Sequence, residues 1–524
     1  MRKIVLLIIL LLKINHHLLA QVNVSLLSQL SYPGLSFSGF WHYVDNSFNE
    51  YALAGASDGL RIYDITNPVS PQLVASVPGQ ASIWREVKTY GHYAYVTTEA
   101  GTGVAGVNDG LQIIDLAGLP NSVSYKFYSD SLLGSLLLRA HTVTVSDNGY
   151  MYVNGTHLAN GAVGGVLVFD LADPWNPVFV GNYINNYVHD CIVYNDTMIS
   201  SELGQGFAIV DMSNKVNPVV LQTQPTPGNF NHNTWRSDNG KVVFTTDEVG
   251  GAPVGAYDIS DIANIKLLDT YFTENIPAAE VHNVRVLNDF LICPSYGSQM
   301  TIVDAARPDN LIEIGSYPTS GNLCWDADPY FPSGNIIAGD MNGNFYVLNA
   351  NFIRACYLEG IVTDSITGLP IANASVQVSI VNLQQNSNVT GQYKTGTKTP
   401  GTYTVSVMAT GYAVKNFSNV VLTNGVLTTL DVELVPLGTG INHEEDQKIN
   451  VFPNPATENV YFTLPATGDD IDIRIVNTTG SEVALLKSNS DRVIFNCRNT
   501  EKGIYFYEII NNGKAIQHGK LILQ

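Results

Sequence analysis

Four histidines recur along the first two thirds of the chain at intervals of roughly 40–50 residues, a spacing typical of structural repeats. They are His141, His189, His232 and His282. Histidine is a frequent metal ligand and the side chain whose charge changes near neutral pH. Several imidazoles brought together from separate repeats could therefore bind a divalent metal or transfer protons.

The histidines share one position of a repeat. Aligning the repeats by their apolar residues puts this position in register across seven units: Trp41, Arg85, His141, His189, His232, His282 and Trp325. The next position is mostly polar: His42, Glu86, Thr142, Asp190, Asn233, Asn283 and Asp326. From these two positions we select ten candidate ligand-binding residues: Trp41, Arg85, Glu86, His141, His189, Asp190, His232, His282, Trp325 and Asp326. The four histidines are also the candidate ligands of a divalent metal.

Three interpretations of the histidines stay open. Each imidazole could bond a backbone carbonyl of its own repeat, or help to bind an organic or glycan ligand, or coordinate a metal. Since the same position also holds tryptophan and arginine, histidine is not simply required for packing. A metal site requires the ring nitrogens to lie within about 2.0–2.1 Å of one ion.

Acidic residues follow two other strands, at Ser201-Glu202 and Thr245-Thr246-Asp247-Glu248. Paired carboxylates about 5–9.5 Å apart could cleave a glycoside. A hydrolase or lyase, metal-dependent and directed at glycans, is therefore the rival to a binding protein. The catalytic residues remain unassigned, because the chain has no Gly-x-Ser-x-Gly, His-Glu-x-x-His, Walker A or EF-hand pattern in a supporting context. Binding is favoured over catalysis.

A short apolar strand ending in Asp or Asn recurs seven times and must position these residues. The copies are 60–64, 111–115, 166–170, 207–211, 254–258, 300–304 and 345–349. Turn signals such as Asp58-Gly59 and Asn342-Gly343 separate the strands. We expect the acidic residue at each strand end to cap a turn.

The last unit lacks an outer strand of its own, and residues 24–31 resemble the outer strands of the other units. Propellers protect their edges by completing the last blade with a strand from the other terminus. The sequence therefore predicts an all-β chain: a seven-bladed β-propeller over residues 22–354, closed by residues 24–31, followed by two small β-sandwich domains.

The repeated Gly-Leu-x-Ile-x-Asp followed by x-x-Pro resembles the LVIVD repeat, and the span is similar to bacterial surface proteins of the choice-of-anchor B family. The copies at Gly255-Ala256-Tyr257 and Asn349 depart from this pattern. The resemblance implies varied attachment to a membrane or wall and implies no activity.

The composition excludes several classes of protein. Charged residues are 14%, hydrophobic residues 45% and aromatic residues 10% of the chain, which excludes intrinsic disorder. Acidic residues number 46 against 26 basic ones, for a net charge of −20, which argues against a nucleic-acid partner.

Residues 1–20 have the pattern of a signal peptide: Arg2 and Lys3, an apolar run, and a final Ala20. The apolar run is shorter than the roughly 20 residues that a membrane-spanning helix needs, and the mature chain has no other candidate. Five cysteines are too few for a disulfide scaffold, although Cys324 and Cys356 could pair after export.

Residues 356–436 alternate at strand period. The segments Gly360-Ile361-Val362, Thr367-Gly368-Leu369-Pro370 and Pro400-Gly401-Thr402-Tyr403 resemble the carboxypeptidase regulatory-like domain. The resemblance implies a prealbumin-like sandwich without a catalytic site. Residues 437–449 are polar and predict a linker.

Residues 450–524 begin with Pro453-Asn454-Pro455 and end with Lys520-Leu521-Ile522-Leu523. They resemble the type A sorting domain of the type IX secretion system. The resemblance implies a Bacteroidetes-type bacterium, the type IX machinery as a partner, and a protein that is secreted or held at the cell surface. A glycan or a protein would then be the ligand.

Overall fold

A computed structural model describes residues 22–100, 110–128, 132–162, 164–274, 276, 278–297, 299–319, 323–379, 383–437, 449–464, 471–488, 490, 492–511 and 513–524. The expected signal peptide and residues 438–448 of the expected linker lie outside these ranges. The chain divides into two compact units, Met1–Arg354 and Ala355–Gln524. The described part is all-β, with one short 3-10 turn at Ile262–Asn264.

Most strands of the first unit form seven antiparallel sheets, which we number I to VII. The first strand is β1 (Val24–Ser31) and belongs to the last sheet. Sheet I is β2 (Phe37–Val44), β3 (Glu50–Ala56), β4 (Gly59–Asp64) and β5 (Gln72–Pro78). Sheet II is β6 (Val87–Tyr90), β7 (Tyr93–Thr97), β8 (Leu111–Asp115) and β9 (Ser124–Phe127). Sheet III is β11 (Val143–Ser146), β12 (Tyr150–Asn154), β14 (Val166–Asp170) and β15 (Val178–Tyr183). Two short strands, β10 (Leu137–Arg139) and β13 (His157–Leu158), pair with each other in a separate sheet.

The remaining sheets of this unit repeat the order. Sheet IV is β16 (Asp190–Tyr194), β17 (Thr197–Ser201), β18 (Phe207–Asp211) and β19 (Val219–Gln224). Sheet V is β20 (Asn231–Arg236), β21 (Val242–Asp247), β22 (Val254–Asp258) and β23 (Lys266–Tyr271). Sheet VI is β24 (Glu280–Val281), β25 (Arg285–Leu287), β26 (Phe290–Tyr296), β27 (Gln299–Asp304) and β28 (Ile312–Pro318). Sheet VII is β29 (Cys324–Asp328), β30 (Asn335–Asp340), β31 (Asn344–Ala350) and β1.

The first strands of successive sheets lie side by side. Strand β2 contacts β6, β6 contacts β11, β11 contacts β16, and β16 contacts β20. Strand β20 contacts β25 of sheet VI, and β29 contacts both β26 and β2. Sheet VII therefore lies between sheets VI and I, so the chain returns to the sheet from which it started.

Strand β1 takes the outer place in sheet VII, as the sequence predicts for residues 24–31. It pairs antiparallel with β31, from Val24 opposite Ala350 to Ser31 opposite Asn344. The pairing hides the edge of β31, which would otherwise offer unpaired backbone groups to other chains.

Each of the seven repeated apolar segments forms the strand next to the outer strand of its sheet. In six of them the terminal aspartate accepts a hydrogen bond from the backbone N–H two residues further on, with distances of 2.7–3.1 Å. The expectation that these residues cap turns is confirmed. All five cysteines are buried free thiols, so the bridge between Cys324 and Cys356 does not form.

The second unit has two pairs of sheets with separate apolar cores. The first pair contains β32 (Cys356–Asp364), β33 (Ser375–Val378), β34 (Leu383–Asn386), β35 (Gln392–Thr397), β36 (Gly401–Met408), β37 (Lys415–Leu422), β38 (Leu427–Thr429) and β39 (Val432–Leu434). The second contains β40 (Asn450–Phe452), β41 (Asn459–Thr463), β42 (Ile471–Asn477), β43 (Glu482–Ser488), β44 (Arg492–Asn496), β45 (Gly503–Asn511) and β46 (Lys514–Leu523). Strands β38 and β39 run parallel to β32, and the other strand pairs in this unit are antiparallel.

Within the described ranges, no helix is long and apolar enough to cross a membrane.

Candidate functional site

Eight of the ten candidate residues line one pocket in the first unit. The lining residues are Trp84, Arg85, Glu86, His141, Thr142, His189, Asp190, His232, His282, Asn283 and Trp325. Asp190, His232 and Trp325 lie in the first strands of sheets IV, V and VII. The others lie just before the first strands of sheets II, III and IV, or between the two short strands that begin sheet VI. The contacts between neighbouring first strands bring these equivalent positions together.

Trp41 and Asp326 are not among the lining residues. The register shift between β2 and β3 lies between Phe37 and Phe40, before Trp41, whereas the shifts in sheets V and VII span His232 and Trp325 themselves. Trp41 instead donates from Nε1 to Thr89 Oγ1 at 3.1 Å and packs against Lys88. The space beside Gly39 is taken by the Glu86 carboxylate, which a Cβ at this position would meet at 2.4 Å.

The four histidine rings form a row. Ring centroids are 4.0 Å apart from His141 to His189, 4.0 Å from His189 to His232, and 4.1 Å from His232 to His282. His189, His232 and His282 are buried. The structure therefore brings all four candidate histidines together.

Backbone carbonyls of the next sheet hold two of the rings. His189 donates from Nδ1 to the carbonyl of His232 at 2.9 Å, and His282 donates from Nδ1 to the carbonyl of Trp325 at 2.7 Å. The sequence-based alternative of a bond within the same repeat is wrong for these two rings, because the acceptors belong to neighbouring sheets. With the proton on Nδ1, Nε2 carries a lone pair, which is the arrangement of a metal-ligating histidine.

A carboxylate binds the ring of His141, at one end of the row. His141 Nδ1 forms a hydrogen bond with Glu99 Oε1. This bond holds the pKa of the Glu99 carboxyl below its usual range, despite partial burial. The row of histidines thus ends in a His–carboxylate pair.

The residues that follow the histidine position in each repeat form hydrogen bonds between neighbouring sheets. Asp190 Oδ2 accepts from Asn233 Nδ2 at 2.7 Å, and Asn233 Oδ1 accepts from the Val284 N–H at 3.0 Å. Further on, Asp326 accepts from Asn283 Nδ2 at 3.1 Å and from the Phe40 N–H at 3.0 Å. These bonds link sheets IV, V, VI, VII and I. Asp190 and Asp326 therefore have structural partners on neighbouring sheets.

Arg85 also has protein partners. Its guanidinium donates to the carbonyl of Ala56 at 3.0 Å and to the carbonyl of Gln80 at 2.6 Å. Burial lowers the pKa of Arg85 to about 10. Glu86 forms an ion pair with Lys88, but burial still raises the pKa of the Glu86 carboxyl.

Burial keeps the central imidazoles neutral. It lowers the pKa of His189 and of His232 well below the usual value, and neighbouring imidazoles add to the effect. Burial lowers the pKa of His282 to about 3. Burial and the nearby Glu280 raise the pKa of Glu248, whose carboxylate lies 3.9 Å from both His232 Nε2 and His282 Nε2.

The pKa of His189 gives a testable dependence of stability on pH. Because the folded pKa lies below the ordinary value, the unfolded chain binds one more proton between the two pKa values, and stability falls as the pH falls through this window. The slope from one such group is about 1.4 kcal/mol per pH unit below about pH 6.5. His189→Gln should remove this contribution.

Urea unfolding of metal-free wild type and variant across this range would measure the two slopes. His92→Gln, at an exposed position, supplies the matched substitution control. Parallel curves for wild type and His189→Gln would contradict the neutral, buried state of this ring.

The pocket itself is small. Its interior leaves about 20 Å³ for the centre of a water-sized sphere, which is about enough for one water molecule or one ion. A larger ligand would have to rest on the rim, where Trp84 is 42% exposed.

Sequence comparison of the repeats missed Trp84 and Glu99, and it did not place Glu248 beside the histidines. Trp84 immediately precedes the aligned Arg85. Glu99 and Glu248 follow the second strands of sheets II and V, and only the fold brings them to the first strands. Glu248 was noted as part of an acidic segment, but its position between two histidines had no signal in the sequence.

Comparisons with known proteins cover the second unit. The model of the carboxypeptidase regulatory-like domain matches residues 357–435, and that of the secretion system C-terminal sorting domain matches residues 450–524. Carboxypeptidase D of Homo sapiens is 30% identical over 105 residues, which are 20% of this chain and 7% of that protein. Both resemblances noted in this part of the sequence are confirmed, and the chain spans only a small part of the human protein.

Proposed function

We propose that residues 22–354 form a seven-bladed β-propeller of the LVIVD-repeat, choice-of-anchor B type. Seven sheets of similar order, neighbouring first strands and contact of β29 with β2 support this architecture. The pairing of β1 with β31 supports closure of the ring between the two ends of the repeat region. The pocket would then lie at the mouth of the central channel, where propellers commonly bind ligands.

The sorting domain at residues 450–524 implies handling by the type IX secretion machinery and supports a secreted or cell-surface protein. We propose that residues 1–20 are a signal peptide and that the source is a bacterium of the Bacteroidetes type. The regulatory-like domain at residues 357–435 would serve as a spacer or interaction module between the propeller and the tail.

We infer that the exported protein binds a ligand at the pocket. The observation that carries this inference is the convergence of side chains from six sheets on one pocket with an exposed indole at its rim. An indole beside polar groups suits a ligand with both apolar and hydroxyl faces, since the ring offers a flat apolar surface and an N–H donor. A glycan has this character.

A glycan array probed with the full chain would test the inference. Trp84→Ala should weaken binding at least tenfold, because exposed aromatic anchors at such sites contribute about 1.4 kcal/mol or more. Tyr125→Ala is the matched control, since Tyr125 is 43% exposed on the outer strand of the same sheet. Absence of any binding, or equal loss in both variants, would overturn the proposal.

The array also separates binding from catalysis. Recovery of the bound glycan intact supports a binding protein. Breakdown of the glycan that is abolished by His189→Ala would instead support the hydrolase or lyase.

A further inference from the structure

A carboxylate lies between two of the histidines in the pocket. The ligand atoms of His232, Glu248 and His282 lie within 4.8 Å of one another. Each Glu248 oxygen is 3.9 Å from one Nε2 atom, which is longer than a hydrogen bond. The three groups therefore surround a gap without bonding across it.

Among the residues that the structure describes, none hydrogen-bonds to His282 Nε2, and His282 is only 1% exposed. Because Nδ1 donates to the carbonyl of Trp325, Nε2 is an acceptor that receives no bond. A buried polar atom without a partner destabilises the fold by about 1–3 kcal/mol. The hydrogen bond to the Trp325 carbonyl explains the position of the His282 ring. It does not explain why the unbonded Nε2 faces the Glu248 carboxylate.

A bound metal ion accounts both for the gap between the three groups and for the unbonded Nε2 of His282. Two imidazole nitrogens and a carboxylate are a common ligand set for zinc and similar ions, whereas calcium and magnesium prefer oxygen ligands alone. Bonds of about 2.1 Å at tetrahedral angles place ligand atoms about 3.4 Å apart. The two separations of 3.9 Å would therefore shorten by about half an ångström, and the widest separation, which is within 4.8 Å, by up to about 1.4 Å. The side chain of Glu248 is 33% exposed and can make this movement.

We propose that His232, Glu248 and His282 bind one divalent transition-metal ion of the zinc class, with its remaining coordination position open to the pocket. The pocket has room for about one water molecule at that position. An oxygen of a ligand resting on the rim can replace this water. This last role rests on the proposed function, whereas binding of the ion does not.

Calorimetric titration of the untagged, chelator-treated full chain with zinc would test the site. We expect one equivalent to bind, and both Glu248→Gln and His282→Ala to weaken that binding at least a hundredfold. The matched control is His92→Ala, which removes an exposed imidazole near Asp115 and should leave the affinity unchanged. Near-UV circular dichroism would verify that each variant is folded, and the partly exposed Glu248 provides the variant least disturbing to the fold.

Cobalt gives a second readout, because its visible absorption bands report on bound nitrogen and oxygen ligands. Loss of these bands in folded Glu248→Gln supports the site. Failure of wild type to bind zinc, or equal affinity in wild type and Glu248→Gln, overturns it. Glycan binding that persists in zinc-free protein would overturn only the role of the metal in holding the ligand, and zinc binding without any glycan binding would overturn only the proposed function.

Discussion

Deletion of residues 22–31 should prevent cooperative folding of the first unit. Strand β1 pairs with β31 over seven residue pairs. Val24 is buried, and Leu27 and Leu30 pack against the core of sheets I and VII. Without this strand, the hydrogen-bonding edge of β31 and the adjoining core would be open to solvent and to other chains. We therefore expect aggregation, or loss of the thermal transition of this unit.

Differential scanning calorimetry of the truncated chain would measure the effect. The second unit supplies an internal control, since its sheets lie outside the deletion and its transition should persist. A synthetic peptide of residues 22–33 should restore part of the lost transition by adding the missing strand to the exposed edge. An unchanged transition in the truncated chain would contradict a structural role for β1.

Arg285→Ala should strongly destabilise the first unit, because Arg285 is buried and pairs with buried carboxylates. The Arg285 guanidinium lies 2.9 Å from Asp326 and 3.7 Å from Glu86, and it stacks near the rings of Trp41 and Trp235. Burial acts to lower the pKa of Arg285, but Asp326 and Glu86 outweigh it and raise that pKa. Removing the cation leaves the buried Asp326 carboxylate without its ion-pair partner and Glu86 with Lys88 alone, and loss of one partner of a buried pair typically destabilises a protein by about 3–5 kcal/mol.

Urea unfolding would compare this variant with Arg61→Ala. Arg61 pairs with Asp58 at 2.6 Å, but Asp58 is half exposed, so the loss should be below about 1 kcal/mol. The double variant Arg285→Ala, Asp326→Ala should recover part of the stability, because it also removes the carboxylate that lost its partner. Similar losses in Arg285→Ala and Arg61→Ala would show that the buried pair contributes no more than a surface pair.

The repeat made the strands predictable. An apolar run that ends in Asp or Asn appears in every sheet, and the aspartate caps the following turn in six of them. Residues 24–31 were recognisable as a missing outer strand because their pattern matches other outer strands. Both features lie within short segments of the chain, so they can be found by comparing the repeats of this one sequence with one another.

The site was predictable only in part. Aligned positions identified the histidine row, because equivalent residues of neighbouring first strands must come together. They also selected Trp41, which is not among the lining residues, since the place of the register shift in β2 depends on its pairing with β3. The positions of Glu99 and Glu248 depend on how second strands approach first strands, which spacing along the chain does not determine.

The most direct test of the account is diffraction from crystals of the zinc-loaded full chain, collected at the absorption edge of the metal. We predict one anomalous peak within about 2.0–2.2 Å of His232 Nε2, His282 Nε2 and a carboxylate oxygen of Glu248. A pocket without a peak, or a peak only at a surface group such as His92, would contradict it.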